Sequence, residues 1–278
     1  NNSNPIRIIR LNSLIIRIMS TIIKTEGDIK IVREGGRRLA FVLSEVLKAV
    51  KPGITTKELD VLAEKLIRGN GDIPAFLNYK PDGADRPYPA TLCVSVNNEV
   101  VHGIPGARTL KEGDIVGLDL GLKHGGFFVD AAITAPVGKI DAGAHELIRT
   151  TKQALQAGIG VIKNGGRIGD ISEAIEKEAI GGKYGVVQIL GGHGIGKHIH
   201  EEPHIANYGE SGTGPMLKKG MLLALEPIFN EGGGEVYIDH KDGYTFRTLD
   251  GSRSAHFEHT VLVTEKGAEI LTILPRRT

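Results

Sequence analysis

The sequence has one cysteine, Cys93, and no tryptophan among its 278 residues. A single thiol cannot form an intramolecular disulfide, so the chain fits a reducing compartment. Long apolar runs are also missing: the longest near the N-terminus, Leu14–Ile16, is far shorter than the roughly 20 residues that a membrane-spanning helix needs. We therefore expect a cytoplasmic protein that makes no contact with a membrane.

An excess of charge of either sign is absent too. Lysine and arginine number 34 against 33 aspartate and glutamate residues, so the net charge of +1 gives no case for nucleic-acid binding. Glycine, in contrast, is abundant: its 38 residues are about twice the usual share of roughly 7%. Many turns and close backbone approaches are expected, and since no heptad pattern is present we expect a monomer.

Residues 1–18 differ from the rest of the chain. They contain three arginines, several isoleucines and no acidic residue. We interpret them as a disordered or non-native extension. A transit peptide is the alternative, because such peptides are also arginine-rich and poor in acids. Residues 19–278 are predicted to form a single domain.

Apolar periodicity divides the chain into helices and strands. Helices are predicted over 27–50, with a weak point at Gly35–Gly36, then after a cap at 55–58, over 142–162 and over 170–179. Residues 70–90 are predicted to be a loop because they are rich in Gly, Pro, Asn and Asp. The predicted strands are Thr91–Val96, Ile115–Leu122, Phe127–Thr134, Val186–Leu190, Met221–Pro227, Glu235–Ile238, Tyr244–Thr248 and Phe257–Thr264.

A weak internal repeat relates residues 51–67 to residues 163–180. Each half of the chain runs helix, stop, helix and then strands. This order predicts two α+β halves, about 19–137 and 138–278, facing each other around a pseudo-twofold axis. A site between the halves would draw side chains from both.

Four acidic side chains fall in apolar, strand-like segments. Asp119 and Asp130 lie on either side of a predicted hairpin turn and should share one face of the hairpin. Glu226 is predicted to lie inside a strand, and Glu258 at the head of another. Burying a carboxylate is costly unless its charge is compensated. The partner is either a cation or, as the alternative, an arginine or lysine.

Histidines supply the remaining candidates. His193 and His200 lie in the glycine-rich segment 191–205, and His102 lies at the end of a predicted strand. The neighbouring His198 and His204 are interpreted as exposed loop residues. One imidazole with four carboxylates is a hard, oxygen-rich donor set that can hold two divalent cations if some carboxylates bridge. Such a pair of cations activates water and polarises a carbonyl, so the set indicates a hydrolase.

The motifs carrying these residues resemble those of the type I methionine aminopeptidases of the bacterial kind. They are NNEVVHGIPG (97–106), GDIVGLDLGLKHGGFFVDAA (113–132), GGHGIGKHIHEEP (191–203), LALEPIF (223–229) and SAHFEHTVLVTEKGAEILT (254–272). Their order, more than any one motif, carries the resemblance, which runs from about residue 21 to residue 274. It implies the pita-bread α+β fold, with two pseudo-symmetric halves, a curved antiparallel sheet and outer helices.

The resemblance also implies a reaction and a role for each residue. Water activated by two divalent metal ions (Co, Mn, Fe or Zn) would remove the initiator methionine when the second residue is small. Glu226 would also carry a proton to the leaving amine, and His102 and His200 would position the substrate and stabilise the tetrahedral intermediate. The implied metal ligands are Asp119, Asp130, His193, Glu226 and Glu258, with Asp130 and Glu258 bridging.

The family's methionine pocket corresponds to Tyr79, Tyr88 and Cys93. Two positions differ from the usual bacterial pattern, since Ile199 replaces a common phenylalanine and Tyr244 a common tryptophan. The implied partners are the N-termini of nascent polypeptides, with a transient ribosome contact. Two alternatives stay open: an Xaa-Pro-type metallo-exopeptidase with the same donor set, and a non-catalytic binding module of the same fold that has lost its metals.

Overall fold

The computed structural model describes residues 23–81 and 83–275, and the predicted extension at 1–18 lies outside them. Over the described residues the chain forms four α-helices and fifteen β-strands. The helices are α1 (Glu26–Ala49), α2 (Thr56–Gly69), α3 (Ala142–Gly160) and α4 (Ile168–Gly182). The strands are β1 (Ile73–Pro74), β2 (Leu92–Val96), β3 (Glu99–Val101), β4 (Ile115–His124), β5 (Phe127–Pro136), β6 (Gly185–Val186), β7 (Gly191–Gly194), β8 (Glu201–Ala206), β9 (Leu222–Leu225), β10 (Ile228–Asn230), β11 (Val236–Ile238), β12 (Phe246–Thr248), β13 (Ser254–His256), β14 (His259–Val263) and β15 (Ala268–Ile270).

The predicted cap at 55–58 is confirmed as a capping box at the start of α2. The Thr55 N–H donates to Glu58 Oε2 at 2.7 Å, and the Glu58 N–H donates to Thr55 Oγ1 at 3.2 Å. These bonds satisfy amides that have no partner inside the helix, which is worth about 1 kcal/mol. Thr25 and Asp28 form the same motif at the start of α1.

The Gly35–Gly36 pair does not weaken α1, which is continuous through it. A Cβ atom added at Gly36 would lie 2.4 Å from the Leu271 carbonyl oxygen, and one at Gly35 would lie 3.2 Å from His124 Cβ. The missing side chains therefore let α1 pack closely on the chain beneath it. The prediction of a weak point at Gly35–Gly36 is therefore wrong, and these glycines form a contact surface of α1.

The central hairpin joins β4 to β5 through Gly125 and Gly126. Both glycines have positive φ, +55° and +86°, which a two-residue hairpin turn of the favoured hand requires. The hairpin packs against α1, and its buried side chains join those of α1 and α2 in one apolar core. A second core forms between α3, α4 and the strands of the second half.

All strand pairs are antiparallel among the described residues, and they form four sheets. The first sheet has the order β1-β4-β2, with β5 also paired to β4, and the largest has the order β15-β14-β9-β7-β8. The orders of the other two are β13-β10-β6 and β11-β12-β3. In the last of these, β3 of the first half pairs with β12 of the second half.

The predicted repeat is visible in the local structure. Isolated antiparallel bridges join Thr55 to Thr109 in the first half and Arg167 to Met216 in the second. The Arg167 N–H donates to Asp170 Oδ2 at 2.8 Å, as the Thr55 N–H does to Glu58. Both second helices therefore begin with the same bond from a backbone N–H to the carboxylate three residues later, which supports the pseudo-twofold arrangement.

Other sequence-based assignments need correction. The predicted strand Val186–Leu190 is limited to Gly185–Val186, because the chain turns at 188–189. The predicted bounds leave out seven short strands, β1, β3, β7, β8, β10, β13 and β15, although a strand was expected to end at His102, as β3 does. No helix among residues 23–81 and 83–275 has the length and apolar character needed to cross a membrane.

Candidate metal centre

The hairpin places two carboxylates on one face, as predicted. Asp119 on β4 lies opposite Ala132, and Asp130 on β5 lies opposite Gly121. An offset of two residues keeps both side chains on the same side of the pleated sheet. Asp130 is only 4% exposed, and Asp119 is half-buried.

Glu226 and Glu258 both lie where strands are interrupted. This corrects the prediction that Glu226 lies inside a strand, whereas Glu258 directly precedes β14 and so lies at the head of a strand, as predicted. Residues 226–227 separate β9 from β10, and residues 257–258 separate β13 from β14. The two interruptions face each other, because β9 pairs with β14 and β10 pairs with β13. Pro227 has no N–H to donate to a ladder, so the strand breaks there and frees the adjacent Glu226 from the pleat.

His193 lies on β7 and is fixed by its neighbours. Its Nδ1 lies 2.9 Å from the Gly194 carbonyl oxygen, which can only accept, so Nδ1 carries the proton and Nε2 keeps its lone pair. Cβ atoms added at Gly192 and Gly194 would lie 2.3 Å from Ala224 O and 2.1 Å from Glu202 O. Both glycines are therefore required for β7 to fit between β8 and β9.

The five predicted ligands converge from these elements. One ligand atom each from Asp130, His193 and Glu258 lies within 4.8 Å of the other two. His193 Nε2 is 3.6 Å from Glu226 Oε1. Asp119 Oδ1 is buried and has no hydrogen-bond partner among the described residues. The structure thus brings all five into one region between the two halves.

Electrostatics explains why this cluster needs cations. Burial raises the pKa of Asp130 to about 7. Burial first, and then the charges of neighbouring carboxylates, raise the pKa of Asp119, Glu226 and Glu258 well above the ordinary range. Among the described residues, no lysine or arginine forms an ion pair with any of the four. The donor set is therefore suited to divalent cations.

Two predicted histidines border this cluster. His102 follows β3 with a positive φ of +59°, and its ring meets Phe246 edge-on at 5.7 Å. The His200 ring lies 4.6 Å from the His193 ring, and its Nδ1 is 3.0 Å from the Tyr79 hydroxyl. Burial lowers the pKa of both His102 and His200 to about 4, so both imidazoles are neutral at neutral pH. The His200 side chain is nevertheless exposed to solvent.

Three of the five predicted pocket residues form one apolar cluster. Tyr88, Cys93 and Tyr244 are each less than 9% exposed, and the Tyr88 and Tyr244 rings meet edge-on at 5.2 Å. Cys93 lies opposite Asp119 in the β2–β4 ladder, so the cluster adjoins the carboxylates. Tyr79 and Ile199 do not belong to it. Tyr79 instead holds His200, and Ile199 is buried beside His200 in the chain.

His256 is a residue of the site that the sequence did not single out. It is 4% exposed, and its Nε2 lies 3.5 Å from Glu226 Oε2 without a hydrogen-bond partner among the described residues. Burial lowers its pKa to about 3. The available signal was a run of alternate polar residues, His256, Glu258 and Thr260, within an apolar segment.

Comparison with known proteins gives consistent matches. Residues 30–265 match the profile of metallopeptidase family M24. The chain is 44% identical over 251 residues to methionine aminopeptidase 1 of Bacillus subtilis (strain 168), covering 90% of this chain and 98% of that protein. The crystal structure of methionine aminopeptidase from Rickettsia prowazekii superposes with a TM-score of 0.88 and 39% identity, covering 91% of this chain and all of that one.

A more distant likeness concerns the fold alone. Prolidase from Pyrococcus furiosus superposes with a TM-score of 0.71 at 23% identity, covering 92% of this chain and 66% of that one. These matches confirm the resemblance and the pita-bread α+β fold that it implied.

Proposed function

The chain belongs to metallopeptidase family M24 and, within it, to the methionine aminopeptidases, and from this premise we propose how its residues divide the work. Its substrate is a polypeptide with a free N-terminal methionine and a small second residue, and the product is the shortened chain. Its partners are the N-termini of nascent polypeptides, met at the ribosome in the cytoplasm by a monomer. This proposal rests on family membership together with the site described above.

The observation that carries the proposal is the convergence of four carboxyl groups and one imidazole, with no lysine or arginine paired to them in the part of the chain that the structure describes. The buried, unpartnered Asp119 Oδ1 fits a cation as its missing partner. We assign two divalent ions (Co, Mn, Fe or Zn) to these residues. When bound, such ions polarise the scissile carbonyl and lower the pKa of a nearby water. Asp119, Asp130, His193, Glu226 and Glu258 would hold these ions.

The histidines next to the cluster act on the substrate. His102 and His200 are neutral imidazoles that donate hydrogen bonds to the substrate backbone and to the oxygen that gains charge in the reaction. The Tyr79 hydroxyl lies 3.0 Å from His200 Nδ1, and we assign it as the donor, which leaves the proton on Nε2, the nitrogen that reaches the substrate. Glu226, half-buried beside them, takes a proton from water and passes it to the leaving amine.

The methionine side chain occupies the cluster of Tyr88, Cys93 and Tyr244. Sulfur–aromatic contacts favour a thioether next to tyrosine rings, and the buried thiol adds a small polarisable wall. We assign Tyr79, which contacts His200, and Ile199, which precedes His200 in the chain, to the edge of this space. These residues hold the methionine so that its carbonyl faces the cluster of ligands.

A peptide assay tests the proposal. Protein loaded with Mn(II) or Co(II) is offered Met-Ala-Ser and a matched Xaa-Pro dipeptide, with and without a chelator. We expect release of methionine from Met-Ala-Ser alone and its complete loss after chelation. Cleavage of the Xaa-Pro peptide alone would favour a prolidase-like enzyme. Metal binding without any cleavage, or no metal binding at all, would favour a non-catalytic module and end the proposal.

A further inference from the structure

The two halves are joined by an antiparallel ladder that runs through the site. The Asp130 N–H donates to Thr260 Oγ1 at 2.9 Å, and the Thr260 hydroxyl donates to the Asp130 carbonyl at 2.8 Å. At the other end, the His256 N–H donates to Thr134 Oγ1 at 2.8 Å, and the Thr134 hydroxyl donates to the His256 carbonyl at 2.9 Å. Each threonine clamps the backbone of a residue in the opposite half.

The centre of this ladder is the pair Ala132 and Glu258. The Glu258 N–H donates to the Ala132 carbonyl at 2.9 Å, and the Ala132 N–H faces the Glu258 carbonyl at 3.4 Å. Asp130 precedes Ala132 by two residues, and His256 precedes Glu258 by two. The ladder is locally symmetric about this pair, so His256 occupies in the second strand the position that Asp130 occupies in the first. By its position in the fold, His256 belongs to the site.

The imidazole of His256 is directed at Glu226. Its Nε2 lies 3.5 Å from Glu226 Oε2, whereas His193 Nε2 lies 3.6 Å from Glu226 Oε1. The two oxygens of one carboxylate thus face two different histidines. A contact of 3.5 Å is long for a hydrogen bond, but contacts in ligand-free sites commonly shorten when the site is filled. A buried Nε2 without another partner gains by making that bond.

Building on the proposed function, we propose that His256 is a positioning residue that holds Glu226 Oε2 through its Nε2–H. This hydrogen bond leaves Oε1, on the side of His193, as the oxygen that binds the cation. Fixing one oxygen prevents the carboxylate from rotating, so the ligand atom is already in place before the metal arrives. Partners of this kind, which orient a ligand without touching the metal, commonly matter both for metal affinity and for rate.

Two substitutions separate the hydrogen bond from packing. His256→Gln keeps an N–H donor at a similar reach, and His256→Met fills similar space without a donor. In Mn(II) titrations by calorimetry we expect His256→Met to bind about 10–100-fold more weakly than the parent, and His256→Gln to return to within about threefold. With Met-Ala-Ser, kcat should fall in His256→Met by a similar factor, while KM changes by less than about threefold.

His259→Gln is the matched control. His259 is also a histidine next to Glu258, but its Nδ1 bonds Thr272 Oγ1 at 2.9 Å. It should keep the Mn(II) affinity of the parent. Thermal unfolding of each variant checks folding, and if His256→Met does not fold, His256→Asn takes its place because its amide is too short to reach Glu226.

Two results overturn the inference. The first is that folded His256→Met, or His256→Asn in its place, binds Mn(II) as tightly as the parent and has the same kcat. The other is a loss in His256→Gln equal to that in His256→Met, since a donor would then not be what matters. Calorimetry needs no peptide, so it decides the role of His256 even if the parent protein cleaves no Met-Ala-Ser. Failure of the proposed function and failure of this inference are thus distinguishable.

Discussion

The two halves of the molecule build their shares of the site in different ways. In the first half, Asp119 and Asp130 lie on a hairpin whose two strands of ten residues pair without interruption. In the second half, His193, Glu226 and Glu258 come from three separate segments, two of them at breaks between strands. The pleat of a regular hairpin is enough to place two side chains on one face. The second half instead places Glu226 and Glu258 at breaks between strands and His193 on a separate strand.

This difference has an energetic consequence. The regular hairpin is stabilised by its own ladder and by packing on α1, so its carboxylates are held together despite their mutual repulsion. The second half relies on individual contacts, such as the glycines beside His193 and the ion pair that fastens the loop carrying His200. Substitutions in the second half should therefore disturb geometry, and those in the hairpin should mainly change charge.

The largest expected effect is the loss of His193. His193→Ala removes an imidazole whose Nε2 lone pair faces the cluster, so metal affinity should collapse. Turnover of Met-Ala-Ser should fall by at least about 10³-fold, corresponding to the several kcal/mol that a metal supplies to the transition state. Elemental analysis and peptide cleavage on the same sample measure both effects.

His102→Ala is the comparison for that variant. His102 contacts Phe246 and lies outside the ligand cluster, so this protein should keep its metal. Its rate should fall by about 10²–10³-fold, or about 2–4 kcal/mol, because a transition-state donor is missing. Equal metal loss in the two variants would contradict the division between ligand and donor.

A buried ion pair tests how the second half is fastened. Lys24 Nζ lies 2.8 Å from Glu201 Oε2, with side chains that are 1% and 4% exposed, and Glu201 Oε1 also accepts from the His198 N–H at 3.0 Å. Lys24→Met leaves a buried carboxylate without this partner and should cost about 3–5 kcal/mol of unfolding free energy. Urea unfolding measures the loss.

The double variant Lys24→Met with Glu201→Leu is the control for that measurement. Replacing both charges with apolar side chains should recover much of the stability, because no buried charge is left behind. Additive losses would show that the ion pair does not couple the N-terminal segment to this loop. In that case the fastening of the second half must come from other contacts.

Charge in the hairpin should appear as a pH effect on the chelated protein. The pKa of Asp130 is raised from 3.8 to about 7 in the fold, so its ionised form is disfavoured there relative to the unfolded chain. The native state then holds more protons between these values, and stability falls as pH rises from about 4 to about 7. Asp130→Asn has no charge to bury, so its unfolding free energy should exceed that of the parent by up to about 4 kcal/mol at neutral pH.

Thermal unfolding across that pH range measures the difference between Asp130→Asn and the parent. The advantage of the variant should be absent near pH 4 and grow towards pH 7. Adding Mn(II) should reverse the order, since the parent gains stability from bound metal and the variant gains less. A pH-independent difference would mean that the fold does not store the cost of burying the Asp130 charge.

Sequence reasoning is most accurate where structure is local. The predicted bounds of α1, α3 and α4 agree with the observed helices to within a few residues, and the hairpin turn at Gly125–Gly126 follows from local chemistry. The pair Asp119 and Asp130 could be placed on one face because a strand alternates with a period of two. The contribution of the first half to the site, Asp119 and Asp130 on one face of a hairpin, can therefore be predicted from the local sequence.

The second half is less predictable because its elements depend on distant contacts. Glycine-rich β7 has little intrinsic preference for strand and is one only because β8 and β9 flank it. The break at Glu226–Pro227 contributes to the site because it faces the break at Phe257–Glu258 on the paired strands, and this pairing cannot be read from the sequence. His256 was missed for the same reason: its relation to Asp130 exists only across the ladder between the halves.

The smallest expected effect tests the pocket where the halves meet. The Tyr244 hydroxyl of the second half donates to the Arg86 carbonyl of the first, and the Arg86 guanidinium carbon lies 5.8 Å from the centre of the Tyr244 ring. Tyr244→Phe keeps the ring against Tyr88 and removes only that hydrogen bond, which is worth about 1 kcal/mol. KM for Met-Ala-Ser should rise by up to about fivefold with kcat unchanged, because the loss falls on binding alone. Tyr237→Phe, at a tyrosine that is 39% exposed on β11, should leave both constants unchanged. A fall in kcat with unaltered KM would instead connect Tyr244 to the chemical step, and the pocket could not then be treated as separate from the ligand cluster.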